Sequence, residues 1–292
     1  MKYYLIIVFI IIVCLFYIYE KYYDKKIALC FLIYDKINHE ELWYNWLKNV
    51  DKNKYNIYIH YKENKPLKYF EEYKVTNTIH TQWGRLSIVL AQNLLLKHAL
   101  KDDKNQHFIW LSADCIPLKS FDYIYNFLDI NKSYYNLSNE TQIFPRANKL
   151  LKYINKKYIK KANMSSIINR KHAKLFIDND TNIKKWFKCM NNKNDINKGA
   201  LDEFVYITLL FKNNMETEIN FTHELAADSI IFAQWPDMVN YKVFKNSNKI
   251  NSYTYTYICP EELDYLIKSK SLFGRKFIDG CGGLETLNII SK

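Results

Sequence analysis

Hydrophobic and polar positions form alternating blocks over residues 27–130, and each block has the length of one strand or one helix. Strand-length apolar runs occur three times, and between them apolar side chains recur at helical spacing. The predicted strands are Ile27–Tyr34, Tyr55–His60 and His107–Leu111, and the predicted helices are His39–Val50, Gly84–Leu100 and Lys119–Leu128. Strands that alternate with helices are typical of a mostly parallel sheet with helices on both faces. The pattern therefore predicts a doubly wound α/β fold.

The second half of the chain is less regular. Residues 129–163 are polar and show no clear periodicity, which predicts a long surface excursion. Later segments again have strand or helix patterns: a strand followed by a helix in 165–177, a hydrophobic helix at Ala200–Phe211, a strand at Thr254–Cys259 and a helix at Pro260–Lys270. We see no internal repeat, so the sequence predicts one domain over residues 27–292.

An uncharged segment, Tyr3–Tyr19, precedes this domain. As a helix it spans ~26 Å, slightly less than a ~30 Å hydrocarbon core, and tyrosines stand at both ends as in an aromatic belt. A cleavable signal peptide is the alternative, but no small-x-small cleavage site follows. We expect an uncleaved transmembrane helix, with residues 1–26 as anchor and stem. Lysines on both sides leave its orientation weakly specified, with a mild lean against a lumenal C-terminal domain.

Charge and cysteine content narrow the classes of function. Lys and Arg exceed Asp and Glu by 42 to 30, a balance that suits anionic partners. The lysines are scattered and no nucleic-acid-binding signature appears, so we predict no nucleic-acid partner. The six cysteines show no C-x-x-C spacing, which argues against a zinc site.

One predicted strand ends in polar residues of chemical interest. The run His107–Leu111 leads directly into Ser112, Asp114 and Cys115. In open α/β sheets ligands bind beyond the carboxyl ends of strands, so Ser112 and Asp114 are candidate ligand contacts. A strand followed by an ordinary polar turn is the alternative.

Two charged pairs are further candidates. Asp202 and Glu203 lie in the first turn of a predicted apolar helix, where a carboxylate can serve as a rigidly held base or merely complement the helix dipole. Arg275 and Lys276 lie between aromatic residues, where two cations can hold a diphosphate or form an ordinary basic turn.

Another candidate is the Trp83-Gly84 pair before a predicted helix, whose free N–H groups can bind an anion or a substrate hydroxyl. A glycine at the start of a helix is also commonplace. The sequence contains no Walker loop, G-x-G-x-x-G, G-x-S-x-G or H-E-x-x-H motif. The segment Ser112–Cys115, the nearest candidate for a metal site beneath a nucleotide diphosphate, has one carboxylate only.

The order of these segments is informative: "IYIHYKEN", "WGRLSIVLAQNLLLKHAL", "FIWLSADCIPLKSF", "SSIINRKHAKL", "LDEFVYITLL", "FAQWPD" and "LFGRKF". The succession resembles the core-2/I-branching β-1,6-N-acetylglucosaminyltransferase family, glycosyltransferase family 14, especially its plant-type branch with a similar "LSxSCIPL" segment. The resemblance covers about residues 27–278. Three positions depart from the family pattern: Cys115 replaces an aspartate, Ala162–Ser165 replaces a Gly-Ser strand, and Tyr253 lies near the place of a second diphosphate-binding arginine.

The resemblance implies a single-pass type II membrane protein with a GT-A-like fold, built on a mostly parallel Rossmann-type sheet flanked by helices. It implies an inverting enzyme without metal or other cofactor that moves a sugar, typically GlcNAc, from a UDP-sugar to a glycan hydroxyl. By the same resemblance Glu203 is the general base, Lys276 contacts the donor diphosphate and Trp235 lies near the acceptor. This topology would overrule the charge count and would place the domain in the Golgi or ER lumen of a eukaryotic cell.

The full set of expected site residues combines those that the resemblance implies with the candidates that the local motifs indicate. The expected donor-binding residues are Lys276, Arg275, Asp114, Ser112, Trp83 and Gly84, and the expected acceptor-binding residues are Trp235 and Asp202. Two rivals stay open: a membrane-anchored carbohydrate-binding protein without catalysis, and a metal-dependent glycosyltransferase of another family with Asp114 as ligand.

Overall fold

The computed structural model describes residues 3–4, 6–13, 25–139, 143, 147–188, 200–223, 229–235 and 252–287. The strands are β1 (Lys26–Ile33), β2 (Tyr55–Tyr61), β3 (Asn105–Ser112), β4 (Ile116–Pro117), β5 (Ser133–Leu137), β6 (Ile167–Asn169), β7 (Ile219–His223), β8 (Ile231–Ala233), β9 (Tyr255–Tyr257), β10 (Phe273–Arg275) and β11 (Phe277–Gly282). The α-helices are α1 (Glu40–Leu47), α2 (Leu86–Ala99), α3 (Phe121–Phe127), α4 (Arg170–Asp178), α5 (Asp180–Phe187), α6 (Val205–Lys212) and α7 (Pro260–Lys268).

The central sheet has the strand order β2-β1-β3-β6-β5-β7. The pairs β1–β2, β1–β3 and β5–β7 are parallel, whereas β6 runs antiparallel to both of its neighbours. The prediction of an α/β fold with a mostly parallel sheet is therefore confirmed, with one reversed strand that the pattern did not indicate.

Both faces of the sheet are covered, as the continuous apolar strands predict. Ala28 and Cys30 of β1 point into a core that α2, α4, α5 and α6 complete, and Leu29 and Phe31 point into a core formed with α1 and α3. Because successive side chains of a strand point to opposite faces, a strand buried on both sides needs an unbroken apolar run. The run Ile27–Tyr34 has that composition.

The prediction of a surface excursion over residues 129–163 is wrong. Strand β5 lies inside the central sheet between β6 and β7, and Tyr134 and Tyr135 are only 3% and 2% exposed. Its polar residues are buried with partners: Asn136 Nδ2 donates to the Ile231 carbonyl at 2.9 Å, and Ser133 Oγ lies 2.7 Å from His172 Nδ1. Buried polar residues satisfied by tertiary hydrogen bonds conceal the strand from an analysis based on hydrophobicity.

A smaller sheet brings two distant segments together. Strand β4, directly after the Ser112–Cys115 turn, pairs antiparallel with β10, and β10 pairs parallel with β8. Strand β11 follows β10 and pairs with β9. This arrangement places Arg275 and Lys276 beside the carboxyl end of β3.

Residues 3–4 and 6–13 are helical. Among the residues that the structure describes, no helix combines the length and the apolar character that crossing a bilayer requires. The remainder of the expected anchor and stem, residue 5 and residues 14–24, lies outside the described residues.

Candidate functional site

A cleft of about 480 Å³ opens at the carboxyl ends of the first three strands. Leu32 and Ile33 at the end of β1, Lys62 after β2 and Ser112 at the end of β3 line it. This is the edge at which an open α/β sheet binds ligands, because the strand ends and the connections beyond them leave a crevice there.

Most of the predicted site residues meet at this cleft. Those that line it are Ser112, Trp83, Asp202, Glu203, Trp235, Arg275 and Lys276. Gly84 and Asp114 are not among the lining residues. Gly84 has φ of 68° and lets the chain turn into α2, and Asp114 lies behind Arg275. The structure thus brings together residues that are up to 193 positions apart, from Trp83 to Lys276.

Arg275 is held by Asp114 and Ser165 rather than projecting freely. Its Nε lies 3.6 Å from Asp114 Oδ1, its Nη1 donates to Ser165 Oγ at 3.5 Å, and Ser112 Oγ donates to the same Asp114 oxygen. Burial is the largest single effect and lowers the pKa of Arg275, but Asp114, Cys115 and Asp202 together outweigh it, so the net pKa is raised. Ser112 Oγ thus contacts Asp114 and, at 3.2 Å, Cys115 Sγ, and Asp114 in turn contacts Arg275, while Ser112 also lines the cleft.

Lys276 has a different environment. Its pKa is lowered, first by burial and then by repulsion from the adjacent Arg275 guanidinium, while Asp114 and Glu203 oppose the shift. The structure shows no ion pair between Lys276 and another described residue. Two neighbouring cations in a half-buried cleft repel each other, so an anionic ligand such as a diphosphate would relieve that repulsion.

The acidic pair lies on a short turn, not in the first turn of an α-helix as predicted. Residues Leu201–Glu203 form a 3-10 turn, Phe204 follows with φ of −110°, and α6 begins only at Val205. Neither the turn nor α6 has a side-chain cap, so Asp202 does not cap the helix. Both residues line the cleft.

Glu203 is paired with a lysine that the sequence reasoning missed. Its Oε2 lies 3.3 Å from Nζ of Lys161, which is only 6% exposed. The Glu203 carbonyl accepts a 2.8 Å hydrogen bond from the Ala162 amide. No spacing rule links Lys161 to Glu203, since the pairing depends on a tertiary contact.

Asp202 is the more unusual carboxylate. Its Oδ1 is buried and makes no hydrogen bond to another described residue. Burial, followed by repulsion from Glu203, raises the pKa of Asp202 to about 7. A buried, unsatisfied carboxylate oxygen is costly, so it marks a position where a ligand hydroxyl or a proton would be stabilising.

Aromatic residues form the outer rim of the cleft. Trp83 is 71% exposed and Tyr34 is 51% exposed, and Lys62 Nζ lies 4.9 Å from the centre of the Tyr34 ring. The loop that carries Trp83 is anchored by the Ile79 amide, which donates to His60 Nε2 at 2.9 Å. Tyr34 and Lys62 were missed, although their places just after β1 and β2 would have indicated them.

Within the described ranges no group of three or more His, Cys, Asp or Glu side chains is arranged to hold a metal ion. Asp114, the proposed ligand of the metal-dependent rival, faces the Arg275 guanidinium in this structure.

One curated plant protein is similar to about half of the chain. Glycosyltransferase BC10 of Oryza sativa subsp. japonica is 23% identical over 168 residues, which are 54% of this chain and 41% of that protein. The chain thus matches less than half the length of this curated relative.

Two solved structures give weaker similarity. The galactosyltransferase LgtC in complex with donor and acceptor sugar analogues has a TM-score of 0.41 at 7% identity, covering 85% of this chain and 86% of its own. A glycosyltransferase involved in the glycosylation of the major capsid of PBCV-1 has a TM-score of 0.36 at 11% identity, covering 85% and 92%.

A family model supplies the decisive comparison. The model of the core-2/I-branching enzymes matches residues 27–265, which contain all six strands of the central sheet, the acidic turn and the residues that line the cleft except Arg275 and Lys276. Because that match extends over most of the chain, the protein belongs to the core-2/I-branching enzyme family of glycosyltransferases.

Proposed function

We propose that the protein transfers a sugar, GlcNAc in the first instance, from a UDP-sugar to a glycan hydroxyl with inversion and without a metal ion. The observation that carries this proposal is the composition of one cleft: two adjacent cations, Arg275 and Lys276, and two adjacent carboxylates, Asp202 and Glu203. Family membership supplies the class of reaction, and the cleft supplies groups suited to each step.

The chemical step assigns a role to each charge. The Glu203 carboxylate takes the proton of the acceptor hydroxyl as its oxygen attacks the anomeric carbon. The bond from that carbon to the diphosphate oxygen breaks, and UDP leaves with the electron pair. Lys276, with Arg275 behind it, stabilises the negative charge that develops on the leaving diphosphate, as a divalent cation does in metal-dependent enzymes.

The remaining predicted residues have supporting roles in this proposal. Ser112 and Asp114 hold Arg275 at the donor diphosphate, and Gly84 allows the turn that presents Trp83 to the donor side of the cleft. Asp202 and Trp235 line the part of the cleft assigned to the acceptor. A GT-A-like arrangement and a type II anchor in residues 1–26 complete the proposal, the anchor on the strength of the uncharged Tyr3–Tyr19 segment.

The experiment is a donor screen with the full-length protein in detergent. UDP release is measured from UDP-GlcNAc, UDP-xylose and UDP-glucuronate, with and without EDTA, for the parent and for Glu203→Gln. The proposal expects UDP release that survives EDTA and is lost in Glu203→Gln. Release abolished by EDTA would favour the metal-dependent rival, and saccharide binding without UDP release would favour the non-catalytic one.

A further inference from the structure

Lys161 lies almost fully buried behind the acidic turn. Its side chain is 6% exposed, its Nζ is 3.3 Å from Glu203 Oε2, and the same ammonium donates a 2.8 Å hydrogen bond to Ser138 Oγ. Removing an ammonium group from water is unfavourable unless opposite charge and hydrogen bonds replace the lost hydration. Glu203 supplies the opposite charge and Ser138 supplies a hydrogen bond in place of the lost water. The buried ammonium of Lys161 is therefore stable only while Glu203 is ionised.

Main-chain hydrogen bonds on both sides fix the geometry of this pair. The Ala162 amide donates to the Glu203 carbonyl at 2.8 Å, and on the other side the Ser138 amide donates to the Lys161 carbonyl at 3.0 Å. The Asn163 amide then donates to the Asn136 carbonyl at 2.9 Å. The segment 161–163 therefore bridges the end of β5 and the acidic turn. These backbone hydrogen bonds hold the main chains of Lys161 and Glu203 next to each other, so their side chains meet without the freedom of two exposed surface side chains.

In the part of the chain that the structure describes, three other charged groups act on Glu203 or its neighbour. Asp202 lies next to it in the chain, Lys276 interacts with its charge across the cleft, and Arg275 interacts with Asp202. In the proposed reaction Lys276 and Arg275 serve the diphosphate. Among the described residues, Lys161 is then the cation that stays with the glutamate when a donor is bound.

We propose that Lys161 is the positioning residue of the catalytic base: it keeps the Glu203 carboxylate ionised and fixes its direction into the cleft. The inference rests on the proposed role of Glu203 and adds a residue to it. Lys161 itself transfers no proton. The proton of the acceptor hydroxyl goes to Glu203 and leaves to solvent after the product departs.

The test compares three lysine variants of the full-length protein in detergent, with hydrolysis of UDP-GlcNAc as the assay, so that water takes the place of the acceptor. Lys161→Met removes the charge at similar length and Lys161→Arg retains it. Lys160→Met is the matched control, since the neighbouring Lys160 places its Nζ 5.4 Å from the Phe211 ring centre instead of in the acidic turn.

The expected result is a change in rate and in pH dependence together. Lys161→Met should lower kcat ~10–100-fold, part of the ~10²–10⁴-fold that general base catalysis contributes, with little change in the KM for UDP-GlcNAc. A base is active when deprotonated, and loss of a nearby cation raises its pKa. The acid limb of the rate profile should therefore move to higher pH by ~1 unit or more. Lys161→Arg should restore most of the rate, and Lys160→Met should match the parent.

Other results would overturn the inference in distinct ways. If Glu203→Gln is inactive while Lys161→Met keeps the parental kcat and pH profile, only the role of Lys161 fails. If Glu203→Gln is itself fully active, the proposed function of the site fails first. Lys161→Gln serves as a second neutral variant. Failure of both neutral variants to fold, while Lys161→Arg folds, would mark Lys161 as a structural residue and would also count against the inference.

Discussion

The acidic and basic sides of the cleft share one arrangement, in which one charge of each pair is neutralised from behind and the other is not. On the basic side Arg275 faces Asp114 at 3.6 Å, and on the acidic side Glu203 faces Lys161 at 3.3 Å. The unpaired members, Lys276 and Asp202, both have pKa values shifted toward the neutral form, Lys276 downward and Asp202 upward.

The two sides differ in which member the proposed chemistry uses. On the basic side we assign the main ligand contact to Lys276, the unpaired charge, because a free cation can neutralise an incoming diphosphate. On the acidic side we assign the proton transfer to Glu203, the paired charge, because a base must be ionised and oriented before the acceptor arrives. A structurally paired charge thus suits catalysis, and an unpaired one suits binding.

Replacing the acidic residues tests this difference with the largest expected effect. Glu203→Gln keeps the shape of the side chain but cannot accept a proton, so sugar transfer should slow ~10²–10⁴-fold while donor binding is unchanged. Asp202→Asn is the matched control, and we expect it to retain much of the activity. Initial rates of UDP release measure both variants. An inactive Asp202→Asn beside a fully active Glu203→Gln would reverse the two assignments.

Replacing the basic residues should separate binding from stability. Lys276→Ala should weaken UDP-GlcNAc binding by ~1.5–3 kcal/mol, the value of a charge-assisted contact to an anion, with little effect on unfolding. Arg275→Ala should instead lower the free energy of unfolding, because it leaves the Asp114 carboxylate half-buried without its cation. Titration calorimetry and urea denaturation measure the two quantities. Equal donor affinity in Lys276→Ala and the parent would contradict the assignment.

Asp202 should make the stability of the protein depend on pH. Its pKa of about 7 lies above the ordinary aspartate value of 3.8, so between these values the native state holds a proton that the unfolded chain has lost. Stability of the parent should therefore fall as pH rises through this window. In Asp202→Asn this loss is absent, and the variant should gain ~1–3 kcal/mol relative to the parent between pH 5 and pH 8.

Urea denaturation of both proteins at the two pH values measures that gain. Asp264→Asn is the control, because Asp264 is an exposed carboxylate on α7 paired with Lys268. A stability difference between Asp202→Asn and the parent that is constant with pH would contradict the burial argument.

The sequence was sufficient for the parts of the fold that depend on local patterns. Continuous apolar runs predicted β1 and β3, and helical spacing of apolar residues predicted α1 and α2. A strand or helix that is buried on one or both faces needs apolar residues at regular spacing, so its position can be predicted from the sequence. The sequence was insufficient for β5, whose polar residues are satisfied only by partners far along the chain. The same limit applies to the site.

Order along the chain and the strand-end rule indicated the residues at the cleft, but not how their charges pair. The Lys161–Glu203 and Arg275–Asp114 contacts join segments 42 and 161 residues apart, and no local signal encodes them. The prediction that Asp202 and Glu203 lie in the first turn of an α-helix was wrong for a related reason: Leu201 and Phe204, on either side of the pair, pack into the core, and the pair lies on a 3-10 turn.

The smallest expected effect concerns the rim of the cleft, away from the Arg275–Asp114 and Glu203–Lys161 pairs. Trp83 is 71% exposed and lines the cleft, so its ring is available to pack against the donor without prior rearrangement. Trp83→Ala should raise the KM for UDP-GlcNAc ~2–10-fold at nearly constant kcat, since an aromatic packing contact contributes ~0.5–1.5 kcal/mol beyond its buried area.

Trp83→Phe should retain most of the affinity. Tyr257→Ala is the matched control, because Tyr257 on β9 is 52% exposed and does not line the cleft. If Trp83→Ala and Tyr257→Ala both leave the KM for UDP-GlcNAc unchanged, Trp83 has no part in donor binding, and the donor site is confined to the charged interior of the cleft.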